Sequence, residues 1–136
     1  MKDLSKDYKL MNGADLAYIG DAYYELKIRE YLLSLGITKN KELKQMSVLF
    51  VSATAHHIII HKMMDELTQD ELSIYKRGRN NAPKNRRKNL DYNEYLSSTG
   101  FEAVIGYLYL KQDYIRLAEL INKSIDIIKE YQNEHK

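Results

Sequence analysis

Leu16-Ala17-Tyr18-Ile19-Gly20-Asp21-Ala22 sets a glycine and a carboxylate side by side within an apolar run, and Phe101-Glu102-Ala103-Val104-Ile105-Gly106-Tyr107-Leu108 repeats the combination far along the chain. A carboxylate in such surroundings is expensive to bury unless it is paired or coordinates a metal. A glycine inside a helix costs about 1 kcal/mol relative to alanine, and close crossing of two helices is the simplest reason to keep one. The two runs therefore predict helices that approach at Gly20 and Gly106 and bring Asp21 and Glu102 onto one hard cation.

Around these runs the apolar spacing is helical almost throughout, and one proline and six glycines in 136 residues leave few breaks. A first helix is expected from the cap Asn12 to about Ser34, with Gly36 as its stop. Its apolar residues cover two faces: Leu16, Ile19, Tyr23 and Leu26 on one, Ala14, Ala17, Tyr18 and Ile28 on the other. Such a helix is central in its own domain or shared with a second subunit. A second helix is expected from about Lys41 to Met64, with Leu43, Met46, Phe50, Ala53, Ile60 and Met64 facing inward. Thr68-Gln69-Asp70-Glu71 reads as a capping box opening a third helix that ends near Lys76. Leu90 to Leu110 and roughly Tyr114 to Tyr131 complete the set, the last carrying Leu117, Leu120, Ile121, Ile125 and Ile128 at helical spacing. No alternating strand pattern competes. The expectation is one all-α domain spanning residues 1–136.

Composition narrows the function. Hydrophobic residues make up 44% of the chain, enough for a packed core, and the absence of cysteine excludes disulfides and thiolate metal sites. The start resembles no signal peptide and no run reaches the length of a membrane span, so a soluble cytoplasmic protein with no membrane partner is expected. The net charge of +2 hides a strong asymmetry: seven of the thirteen residues from Lys76 to Lys88 are basic and none is acidic. The rest of the chain holds 14 basic against 19 acidic side chains, a net of about −5. An acidic body with one dense basic loop, about residues 77–89, points to a polyanionic partner held at a defined place.

Small residues surround both acids: Ala17 and Ala14 lie one and two turns before Asp21, and Ser97-Ser98-Thr99-Gly100 precedes Glu102. Space of this kind suits a hydrated ion and a phosphate, and Mg²⁺ prefers one or two carboxylates completed by water and substrate oxygens. Residue spacing alone leaves open the plainer alternative of two acids solvated at helix edges. His57 and His61 are one helical turn apart, yet no glutamate follows His57 and no third ligand is evident, so a core or partly exposed histidine is the better reading. The twelve tyrosines are scattered and read mostly as packing, with Tyr75 and Tyr92 flanking the basic loop.

These motifs together resemble the ribonuclease III family. Leu16–Ala22 is similar to its signature helix, and Phe101-Glu102-Ala103 followed by Gly106-Tyr107-Leu108-Tyr109-Leu110 resembles its second acidic motif. Val51-Ser52-Ala53 and Lys76-Arg77-Gly78-Arg79-Asn80 narrow the likeness to the Mini-III branch, which consists of a bare catalytic domain. The resemblance covers about residues 10 to 125. It implies an all-helical homodimer that hydrolyses double-stranded RNA with Mg²⁺ (Mn²⁺ able to substitute), leaving 5′-phosphate and 3′-hydroxyl ends. It further implies a 23S ribosomal RNA precursor as substrate, and leaves room for a ribosomal protein that presents it. Asp21 and Glu102 fall on the family's essential acids, as metal ligands and catalytic residues. Tyr18 matches the aromatic that packs across the family's dimer.

Two departures stand out. Larger ribonucleases III carry further acids where this chain has Ala17 and Thr99, which implies one well-held ion with any second recruited by the substrate phosphate. The resemblance to the Mini-III branch also implies that no separate double-stranded-RNA-binding domain is to be expected. The basic loop then has to supply contacts to phosphates and 2′-hydroxyls itself; Arg77, Arg79, Asn80, Lys84, Arg86, Arg87 and Lys88 are the candidates, with Asn85 as a further neutral donor. The missing acids also favour a rival reading, a non-catalytic RNA-binding or ribosome-associated helical module. A helical scaffold docking through the second apolar face of the first helix is a third, against which the basic loop argues.

Overall fold

Asn12 opens the first helix as expected: its side chain accepts from the Ala14 N–H at 2.6 Å, and α1 runs from Gly13 to Ser34 before Leu35 and Gly36 (φ +86°) turn the chain away. The computed structural model describes residues 1–84 and 91–136. Among these residues it contains six α-helices, two single-turn 3-10 segments and no strand, so the all-α expectation is met.

The region from about Lys41 to Met64 is two helices, not one. α2 spans Asn40–Val51 and α3 spans Ala53–Met63. Ser52 leaves the helical conformation (φ −68°, ψ 159°) and its hydroxyl accepts from the Ala55 N–H at 3.1 Å, so it caps α3. Serine competes for helix backbone groups and favours this role. The 43° bend rotates the inward face of α3 to Ala55, His56, Ile59, Ile60 and Met63, leaving Ala53 only half-buried.

α4 corrects a second boundary. Thr68 and Glu71 form the expected capping box, but the helix continues to Asn80 instead of ending at Lys76 (Gln69–Asn80). Arg77, Gly78, Arg79 and Asn80 are therefore helical, and no loop begins at residue 77. Packing holds this extra turn. Gly78 is buried against the next helix, and the Asn81 side chain just beyond accepts from the Gly13 N–H at 3.1 Å.

α5 (Tyr92–Lys111) is the central element, capped by Asp91 and buried nearly all round from Ser97 to Leu108. α1, α3, α4 and α6 (Tyr114–Glu134) pack around it, and α6 presents Leu117, Leu120, Ile121, Ile125 and Ile128 at the predicted spacing. A fork of charge ties α4 to α6: Arg116 donates to both oxygens of buried Glu71 at 2.9 Å and to the Glu66 carbonyl at 2.8 Å. No single helix among the described residues is long and apolar enough to cross a membrane.

Candidate active site

The site begins where α1 and α5 touch. A Cβ on Gly20 would lie 1.7 Å from the Glu102 carbonyl oxygen, and one on Gly106 would lie 1.9 Å from the Leu16 carbonyl oxygen. Only glycine at both positions lets the backbones meet this closely. Asp21 follows Gly20 directly, and Glu102 is the very residue whose carbonyl Gly20 faces. Their carboxyl groups consequently come within hydrogen-bonding reach of each other.

The two acids sit in different surroundings. Asp21 is exposed on α1, whereas the Glu102 side chain retains 17% exposure. Burial pushes the Glu102 carboxyl well above the usual carboxylate range, and the hydrogen bond to Asp21 and its negative charge push the same way. Two ionised carboxylates at this separation repel, and a divalent cation between them would reverse the balance. Two hard oxygen donors, one reaching solvent, fit Mg²⁺, which keeps several waters and takes few protein carboxylates.

A third helix reaches the pair through a histidine that pattern alone reads as core packing. His56 of α3 is 1% exposed; its Nδ1 lies 2.8 Å from Ser98 Oγ and 4.0 Å from Glu102 Oε2. Burial holds its pKa down to about 3, so the ring is neutral. Its Nε2 is buried without a hydrogen-bond partner. Only the Ser52 break turns His56 toward Glu102, and the cue legible in sequence was a capping serine preceding the helix.

Neither Ala17 nor Thr99 adds a donor to the pair. Ala17 is buried beside the crossing, and the Thr99 hydroxyl donates back to the Tyr95 carbonyl at 3.1 Å. Among the described residues no group of three or more His, Asp or Glu side chains converges as a metal cluster. His57 is half-buried with its ring 4.3 Å from that of His61, in keeping with the packing role expected of it.

The basic candidates divide. Arg77 donates to the carbonyls of Lys9 (2.9 Å) and Met11 (3.1 Å), pinning the N-terminal segment to α4. Arg79 donates to Ser97 Oγ at 3.1 Å and lies over the Tyr75 ring, so it is half-buried near the site. Asn80 and Lys84 are exposed. Arg86, Arg87, Lys88 and Asn85 lie outside the described residues. Tyr75 is buried as core, while Tyr92 is exposed at the start of α5.

Two helices that cross at glycines, each contributing one acid to the pair, in an all-α domain, agree with a ribonuclease III fold, and residues 14–113 match the ribonuclease III domain family. The chain belongs to that family and is an endoribonuclease. Within the family its relatives are the Mini-ribonuclease 3 proteins. It is 46% identical to the Mini-ribonuclease 3 of Enterococcus faecalis over 127 residues, 92% of this chain and 96% of the relative. With that of Streptococcus pneumoniae the identity is 42% over 125 residues, 90% of this chain and 98% of the relative. The crystal structure of a Fusobacterium nucleatum protein superposes with a TM-score of 0.78 at 31% identity, covering 85% of this chain and 92% of that one.

Proposed function

We propose that the chain cleaves double-stranded RNA with Mg²⁺ held by Asp21 and Glu102, and that Mn²⁺ can replace it. The observation that carries this reading is the meeting of two carboxylates from two helices at a glycine-glycine contact. A bound Mg²⁺ would polarise the scissile phosphate and offset charge developing on it. The chain's own part is to fix the two carboxylates at one point beside α5, with Asp21 reaching solvent where a duplex arrives. In the hydrolysis a water oxygen bonds to phosphorus and the P–O3′ bond breaks, leaving a 5′-phosphate and a 3′-hydroxyl.

With two acids the site would hold one ion firmly and draw any second from substrate phosphate. Mn²⁺ soaked with RNA into crystals should therefore show one strong ion per site; two fully occupied ions would refute it. Substrate contacts fall to Arg79, Asn80 and Lys84 together with Arg86, Arg87 and Lys88, while Arg77 serves the fold.

A homodimer is supported by an apolar surface on α1 and α2. Tyr18 is 81% exposed, and Leu33 and Val48, also exposed, border a groove of about 570 Å³ between the two helices. A monomer mass by light scattering would contradict it. The natural substrate we assign, by likeness to the Mini-III branch, is a 23S ribosomal RNA precursor in the bacterial cytoplasm, with a ribosomal protein as a further partner. Labelled precursor stems incubated with Mg²⁺ or with chelator provide the test. Cleavage confined to the Mg²⁺ arm, yielding 5′-phosphate ends, is expected; binding without cleavage in both arms would leave an RNA-binding module instead.

A further inference from the structure

We propose that His56 is a positioning residue for Glu102: its neutral ring, fixed by an Nδ1–H bond to Ser98 Oγ, stands 4.0 Å from Glu102 Oε2 and keeps the carboxylate turned toward Asp21. The inference rests on Asp21 and Glu102 forming a cation site.

The position of the proton follows from what each ring nitrogen meets. Nδ1 faces two oxygens, at 2.8 Å and 4.0 Å, and Nε2 faces no partner. A neutral imidazole carries one N–H. On Nε2 that proton would be a buried, unpaired donor, which costs about 1–3 kcal/mol. On Nδ1 it bonds Ser98 Oγ and leaves only a lone pair unmatched. The proton therefore belongs on Nδ1, on the side of the acid.

The ring is not free to turn away. The Tyr24 ring stands edge-on to it at 5.1 Å and the Phe101 ring lies against it at 4.9 Å. Tyr24 is itself anchored, donating its hydroxyl to the Phe50 carbonyl at 2.9 Å. A buried, caged donor beside one member of an acid pair has the arrangement by which neighbouring groups orient metal-binding carboxylates. His56 touches neither substrate nor cation and acts through Glu102.

Two substitutions of similar size separate positioning from space-filling. In His56→Asn the side-chain amide can place an N–H where Nδ1–H stands, whereas in His56→Gln the longer side chain carries its amide toward the Nε2 side. Mn²⁺ binding to RNA-free protein, followed by the electron paramagnetic resonance of the free ion, gives affinity without turnover. His56→Gln should weaken Mn²⁺ binding by about 10–100-fold, with kcat reduced and the KM for duplex RNA unchanged. His56→Asn should restore most of the affinity. Equal Mn²⁺ affinity in His56→Gln, His56→Asn and the wild type would overturn the inference while leaving the cation site standing. A wild type that binds no Mn²⁺, or an Asp21→Asn variant that binds it equally well, would overturn the cation site and this inference together.

Discussion

Gly20→Ala is a small change with a large expected effect on one function. The new Cβ would stand 1.7 Å from the Glu102 carbonyl oxygen and 2.7 Å from the Gly106 nitrogen, and both are backbone atoms that no rotamer change can move. A carbon–oxygen contact needs roughly 3.3 Å, so α1 and α5 must separate locally by about 1.6 Å. Overpacking of this kind costs about 3 kcal/mol at the upper end of its range. Alanine recovers about 1 kcal/mol of helix propensity. The net loss is about 2 kcal/mol, which a domain stable by 5 kcal/mol or more survives. Cleavage suffers more, because the separation opens at Asp21 and Glu102, and a misplacement of about 1 Å at a reacting centre costs on the order of 100-fold. Urea denaturation and single-turnover cleavage of duplex RNA read the two effects separately. Gly36→Ala is the control: it occupies φ +86° with open space around it, so it should lose about 1 kcal/mol and keep full activity. A Gly20→Ala protein with wild-type stability and rate would refute the close crossing as the device that assembles the site.

Three further outcomes are expected. Glu102→Gln should raise the melting temperature of metal-free protein at neutral pH while abolishing cleavage. Because the folded-state pKa of Glu102 is raised, its favourable contribution is complete below the ordinary value of 4.5 and is lost as pH rises through the folded value; glutamine removes that loss. A lower melting temperature would contradict this sign. Arg116→Ala should cost about 3–5 kcal/mol near neutral pH, since it strands buried Glu71. Burial alone would raise the Glu71 pKa, but the Arg116 and Thr68 hydrogen bonds outweigh it and lower the value, so the difference between wild type and variant should shrink as pH falls below 4.5; a pH-independent difference would exclude the ion pair as its source. Replacing Arg86, Arg87 and Lys88 by alanine should flatten the slope of log affinity against log salt by up to about 3, and an unchanged slope would remove these three from the phosphate contacts.

Residue pattern alone was a good guide where one physical rule dominated. Asn12, Thr68 and Glu71 announce their caps, and Gly20 and Gly106 announce a close approach because little else excuses a glycine inside an apolar helix. It misled where two rules competed. Ser52 sits in an unbroken helical period, so periodicity outweighs its capping preference; Ile60 is buried as expected, but Ala53 and Met64 are only half-buried. The shift in phase turns His56 fully inward and leaves its neighbour His57 half-buried. Arg77-Gly78-Arg79-Asn80 looks like a loop by composition, yet burial of Gly78 against α5 keeps it helical. The same packing turns Arg77 onto backbone carbonyls, a use that no charge pattern reveals.

The most direct measurement is single-turnover cleavage of duplex RNA by Asp21→Asn at saturating Mg²⁺, with RNA binding followed in parallel. The substitution keeps the shape of an exposed side chain and removes only its charge, so folding and RNA affinity should stay near wild type while cleavage disappears. An Asp21→Asn protein that binds and still cuts would show that the chemistry does not pass through the pair of carboxylates where α1 meets α5.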